Sequence, residues 1–247
     1  MTMPHYLKIE ALRMLRNKRY VIFVVAFPLA FYLLYANLYG DQTDQATGTP
    51  AAVILMVSMG AYGALAASIM STAVPWAQER QSGWLRQLQI TPLPGWMIIV
   101  TKLLAALVLV LPALLLVVLA AVLTQHVSLS VGQWAALIPA MWAGTIPFAA
   151  LGLAIGSLAR PDTAQPVAMI SMFGLALLGG LWFPVDMLPE TMRTIAHALP
   201  SYDYASIGWE IVAGHTPSGS SVAGILGWAV VLGGLAIFAY RRATVRA

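Results

Sequence analysis

Apolar residues run along this chain in long blocks, each closed by a short polar stretch, with neither the alternation of a half-buried strand nor the single stripe of a soluble helix. A helix rising 1.5 Å per residue needs about 20 mostly apolar residues to cross the hydrocarbon core of a bilayer. Six blocks approach that length: Tyr20 to Leu38, Ala51 to Val74, Leu103 to Leu123, Trp134 to Leu158, Pro166 to Phe183 and Val222 to Tyr240. The pattern predicts an all-α integral membrane protein with six transmembrane helices. Pro112, Pro139 and Pro147 fall inside the third and fourth blocks and should kink them.

Three segments are neither spans nor plain loops. Before the first block, Leu7, Ala11, Met14 and Leu15 recur at i, i+4, i+7 and i+8, with Arg13, Arg16 and Asn17 turned away. This predicts an amphipathic interfacial helix over residues 1–19, lying on the inner membrane surface with its basic residues among anionic headgroups. Residues 76–96, between the second and third blocks, are rich in charge, Gln and Thr and end in the breaker Thr91-Pro92-Leu93-Pro94-Gly95. Residues 184–213 contain moderately apolar pieces such as Met192 to Leu199 that are too short to cross, which predicts re-entrant or interfacial helices.

Composition agrees with the pattern. Only 9% of residues are charged and 60% are hydrophobic, against about 25% charged in a soluble domain. No polar block is large enough to fold separately, so the chain reads as a single membrane domain over residues 1–247. The placement of charge sets the orientation, because loops rich in Lys and Arg stay cytoplasmic. With the N-terminus inside, Lys8, Arg13, Arg16, Lys18, Arg19, Arg80, Arg86, Lys102, Arg160, Arg241, Arg242 and Arg246 all fall inside. Of the 13 basic residues only Arg193 falls outside, where Asp41, Asp44, Asp186, Glu190, Asp203 and Glu210 also lie. Both termini are therefore expected in the cytoplasm. The basic stretch ahead of the first block and the poor cleavage site at Ala36-Asn37-Leu38 argue against a removable leader. The expected location is the inner (plasma) membrane of a bacterium.

Candidate chemistry is sparse. There is no cysteine, and Lys8, Lys18 and Lys102 sit in no Gly-Lys-Ser/Thr context, so a phosphate-cradling ATPase loop is missing. His5, His126, His197 and His215 form no metal-spaced pair, and no metal or catalytic residue is assigned. Apart from Lys102 at an inner edge, the six blocks hold no ionisable residue, whereas ion-coupled carriers usually place one inside the membrane. Energy for uphill transport would have to come from another subunit. Gly152-x-x-x-Gly156 and the small face Gly60, Gly63 and Ala67 read first as helix-packing positions. Met56, Met59, Met70, Met169 and Met172 read first as lipid or core residues and second as an adaptable lining.

The stretch Glu79-Arg80-Gln81-Ser82-Gly83-Trp84-Leu85-Arg86-Gln87-Leu88, then Thr91-Pro92-Leu93 and Lys102, resembles a motif of the permease subunits of type-2 ABC exporters. Trp84 departs from it, standing where the family usually carries a smaller residue. Gly180 to Pro189, followed by Leu199-Pro200 and Tyr204, resembles the connection between that family's fifth and sixth spans. The resemblance implies a half-transporter: two permease subunits, alike or different, around a central pathway, each docking a separate ABC ATPase subunit that carries ATP and Mg. This chain would bind no cofactor and no nucleic acid and would not be an enzyme by itself.

The resemblance also implies roles for particular residues. Glu79, Arg80, Gly83, Trp84, Leu85, Leu88, Thr91 and Pro92 would form the coupling contact to the ATPase, braced by Arg13, Arg16 and Arg19 of the N-terminal helix. Met56, Met59, Met169 and Phe173 would line the substrate pathway along spans one, two and five. Phe183, Pro184, Leu188 and Pro189 would form an extracytoplasmic gate. The function expected is export of a hydrophobic or amphipathic small molecule, such as a drug, an antibiotic or a lipid. The alternatives are a passive channel or facilitator without an ATPase, and a membrane-embedded lipid enzyme.

Overall fold

The computed structural model describes residues 21–44, 47–83 and 95–245. Among these the chain is helical apart from turns and an isolated bridge between Thr43 and Pro50. A π-helical stretch, Val21–Ala26, leads into α1 (Phe27–Tyr39). There follow α2 (Ala51–Gln81), α3 (Gly95–Gln125), α4 (Val131–Ala143), α5 (Ile146–Leu158) and α6 (Pro161–Leu178). A 3-10 turn, Val185–Met187, precedes α7 (Glu190–His197), α8 (Pro200–Val212) and α9 (Gly219–Val245). Among the described residues, four stretches are long and apolar enough to cross a membrane: Ala51–Gln81, Ile99–Gln125, Val131–Leu158 and Gly219–Arg242. The first and fifth predicted spans correspond to shorter helices, α1 with 13 residues and α6 with 18.

Helix α2 is the axis of the bundle. Of its apolar window 89% is buried inside the protein, against 39% for α3 and 22% for α9, so α3 and α9 turn most of their surface outward. Helices α1, α3, α5, α6 and α8 all pack on α2. Lipid gives apolar helices no hydrophobic reason to associate, so close approach must come from small side chains. Gly60, Ala61, Gly63, Ala64, Ala66, Ala67 and Ser68 are all buried on α2. The partner face is the Gly152/Gly156 pair of α5. A Cβ on Gly152 would lie 2.0 Å from Thr72 Oγ1 and 2.7 Å from the Ile69 carbonyl, and one on Gly156 would lie 2.4 Å from the Ala73 carbonyl. The packing reading of this motif is thus correct, and its partner lies within the same chain.

The fourth predicted span is present as the apolar stretch Val131–Leu158, interrupted at Gly144 and Thr145 between α4 and α5 beside the expected Pro147 kink, and the fifth has shifted ends. Pro147 lies in the first turn of α5, where its missing N–H leaves no vacant bond, and Thr145 Oγ1 donates to the Trp142 carbonyl at 2.6 Å. Pro112 and Pro139 interrupt nothing and sit inside continuous helices. The fifth span starts at Pro161 rather than Pro166 and stops at Leu178 rather than Phe183. Its start is fixed by the Arg160 N–H donating to Thr163 Oγ1 at 3.1 Å, and its end by Gly179 and by Gly180 at φ 78°.

The turns gather at two opposite ends of α2. At one end, a Cβ on Gly40 would stand 2.9 Å from Gln125 Oε1, Trp209 Nε1 donates to Ser58 Oγ at 3.0 Å, and Gln133 Nε2 donates to the Val212 carbonyl at 3.0 Å. The same Gln133 forms a capping box with Ser130, which starts α4. At the other end lie Trp76, Glu79, Lys102, Ser157 and Tyr240. The segment 184–213 belongs to the first end and contains α7 and α8. Helix α8 spans about 20 Å at 1.5 Å per residue, roughly two-thirds of a hydrocarbon core. It inserts against α2, α4 and α9. Tyr204, buried, donates its hydroxyl to the Met141 carbonyl at 2.6 Å, and Ser206 Oγ meets Ser221 Oγ at 2.8 Å.

Candidate functional site

At 31 residues, α2 is about 46 Å long, well beyond a core of about 30 Å, so its C-terminal turns reach past the apolar bundle. Residues Trp76 to Gln81, expected to belong to a separate segment, are the continuation of this helix. Trp76 is buried, donates Nε1 to Ser157 Oγ at 2.8 Å and sets its ring 5.9 Å from that of Tyr240. One turn further, the Arg80 guanidinium donates to the carbonyls of Ser157 and Ala159. These carbonyls close α5, where a helix leaves its last acceptors unfilled and a positive charge is favoured by the dipole.

Beside Arg80, the Glu79 carboxylate is paired with Lys102 Nζ of α3, with side-chain exposures of 13% and 9%. Withdrawing two charges from water costs several kcal/mol per ion, and only close pairing offsets it. The pair is incomplete, since Glu79 Oε2 is buried without a hydrogen-bond partner. In this chain the Glu79 carboxylate meets α3 and the Arg80 guanidinium meets the end of α5. The exposed groups here are Gln78, Gln81 and Ser82, and Gly83 turns the chain at φ 75° with open space where a Cβ would stand. Trp84, Leu85, Leu88, Thr91 and Pro92 lie outside the described residues, as do Arg13, Arg16 and Arg19.

The pathway candidates separate into two groups. Met56 and Met59 are 1% and 0% exposed, enclosed within the helical core. Met169 and Phe173, on α6, are half-buried. Phe173 belongs to an aromatic cluster that the sequence reading missed. Phe27 of α1 has its ring 5.5 Å from Tyr62 of α2, 6.3 Å from Phe173 and 5.6 Å from Trp182. The cluster continues along α1 as Phe27, Phe31, Tyr35 and Tyr39, with ring separations of 4.3, 5.7 and 6.2 Å. Spacing by four residues puts these rings on one helix face, a signal readable in the sequence. Trp182 Nε1 is buried without a hydrogen-bond partner, and the Tyr62 hydroxyl meets only the Met172 sulfur, at 4.0 Å. Tyr62 is 0% exposed, so this part of the cluster packs inside the bundle, with two donors that bind weakly or not at all. Of the gate residues, Phe183, Pro184 and Pro189 are exposed and Leu188 is half-buried, all on the connection that links α6 to α7.

A family model described as "ABC-2 type transporter" matches residues 5–206. A protein of Bacillus subtilis (strain 168) described as "Putative transport permease YvfS" is 28% identical over 213 residues, which make up 86% of this chain and 86% of that one.

Proposed function

Because this chain belongs to the ABC-2 type transporter family and has the long apolar helices of a multi-pass membrane transport permease, we propose that it is the permease half of an ATP-driven exporter. In this reading six spans cross the membrane with both termini in the cytoplasm, α1 and α6 supplying the two shorter crossings. The gathering of turns at two ends of α2 supports that alternation. A second permease subunit completes the pathway, and a separate ATPase subunit docks at the Glu79 end. Cargo is a hydrophobic or amphipathic small molecule moving past the rings of α1, α2 and α6. The chain itself performs no chemistry and holds no cofactor.

The observation that carries this reading is the cytoplasmic end of α2. There Trp76, Glu79 and Arg80 tie one helix to α3, α5 and α9, at the boundary of the segment whose sequence resembles a coupling helix. A passive channel has no need to lock three helices to one helix end, whereas a machine driven from outside must distribute motion from one contact to several helices. The test is purification of tagged chain from its native membranes in mild detergent. An ATPase with a phosphate-binding loop should accompany it in equimolar amount, with two copies of each in the complex. Purification of a chain that has no such companion and conducts without ATP would support the channel reading instead.

A further inference from the structure

Glu79 and Arg80 stand side by side, and each reaches a different helix. Lys102 lies in the second turn of α3, is 7% exposed and meets Glu79 across a separation of 23 residues. Everything between the two ends of this bridge is the last turn of α2, the cytoplasmic segment and the first turns of α3. We propose that the Glu79–Lys102 pair is an internal strut, which fixes the end of α2 against the start of α3, and that Lys102 is a positioning residue for coupling. Only this last step, the link to coupling, rests on the permease reading above.

Three features support a strut over a docking contact. The pair is withdrawn from solvent on both sides, so an approaching subunit would find neither charge free. Lys102 is seated inside α3 among buried neighbours such as Ala105 and Ala106. Arg80, next to Glu79, fixes the same turn of α2 to the end of α5. Force applied at this end of α2 would therefore reach α3 and α5 as well, where an unbraced helix end would absorb it by bending. Long side chains at an exposed site lose little when truncated, whereas removing one member of a buried pair leaves the other charge stranded.

The dipole of α2 makes a reversal feasible. Lysine at position 79 would stand in the last turn of α2, where positive charge is favoured, and glutamate at position 102 would restore its partner. The experiment compares parent, E79A, K102A, K102R and the reversed pair E79K/K102E in lipid nanodiscs. Amide hydrogen exchange is followed over residues 76–83 and 95–106, with ATP hydrolysis measured on the complex with the co-purified ATPase subunit.

For the strut, both alanine variants should exchange roughly tenfold faster or more in those two regions. K102R and the reversed pair should return to the parental rate. If the reversed pair fails to insert, E79Q/K102M takes its place, and it should exchange more slowly than either alanine variant. Parental exchange in K102A, or a reversed pair that inserts yet exchanges as fast as E79A, overturns the strut. ATP hydrolysis should follow the same order among the variants. Exchange that follows the order while hydrolysis does not overturns the coupling role alone, and a parent that binds no ATPase marks failure of the permease reading, with the exchange data still deciding the strut.

Discussion

Replacing Gly152 with alanine adds one methyl group at a contact with no room for it. The new Cβ would lie 2.0 Å from Thr72 Oγ1, 2.7 Å from the Ile69 carbonyl and 3.1 Å from Ile69 Cα. Thr72 could swing away only by giving up its bonds to the carbonyls of Ser68, at 2.8 Å, and Ile69, at 3.2 Å. The Ile69 carbonyl cannot swing at all, since it is backbone inside a buried helix. Helix α5 must then shift outward, which also loosens the Gly156 contact with Ala73. Overpacking of this kind costs about 1–3 kcal/mol, from which the better helix propensity of alanine removes about 0.5–1 kcal/mol. Gly234→Ala in α9 is the control, because nothing lies within 4 Å of its added Cβ, and it should stabilise by about 0.5–1 kcal/mol. The assay is the unfolding midpoint of purified protein in one detergent. G152A should fall below parent and G234A should match or exceed it, with roughly 2 kcal/mol between them. If G152A unfolds at or above the midpoint of G234A, the close α2–α5 approach is wrong, and with it the assignment of the glycine pair to packing inside one chain.

Other outcomes follow from single contacts. Tyr204→Phe removes the hydroxyl that serves the Met141 carbonyl and should lower stability by about 1–2 kcal/mol, seen in the same unfolding assay as a lowered midpoint. His126 holds a left-handed φ of 51° just past the end of α3, so His126→Gly should stabilise by about 1 kcal/mol; a drop in the midpoint would show that the imidazole makes contacts worth more than the strain. For topology, Thr47, Ser128 and Ser220 are exposed at the end of the bundle opposite Glu79. Since the parent has no cysteine, cysteines placed there should react with an impermeant thiol reagent from outside the cell, and reaction only from the cytoplasmic side would reverse the orientation.

What could be read in the sequence follows from range. The existence of the apolar helices and the small-residue contact came from periodicity along one helix, which local pattern carries directly. The break between α4 and α5 was signalled by Pro147, but Pro112 and Pro139 look identical in sequence, and only the surrounding packing decides which one falls at a helix start. A helical segment over 184–213 was expected, but the burial of Ser201, Ser206 and Tyr204 on α8 was hidden, because their polarity reads as surface until Leu175, Ser221 and Met141 supply the partners. The inward turn of Glu79 was within reach. Lys102 was the lone charge at the edge of a span, Glu79 closed the preceding one, and antiparallel helices joined by a short segment bring such ends together.

The measurement that bears most directly on the account is transport by inside-out vesicles holding this chain together with the ATPase subunit recovered from its native membranes. A lipophilic fluorescent dye supplied outside should accumulate only when ATP and Mg are present, only when both subunits are present, and several-fold less with E79A or K102A. Dye that equilibrates at the same rate without ATP, or without the ATPase subunit, would contradict a driven exporter and leave a passive path through the bundle.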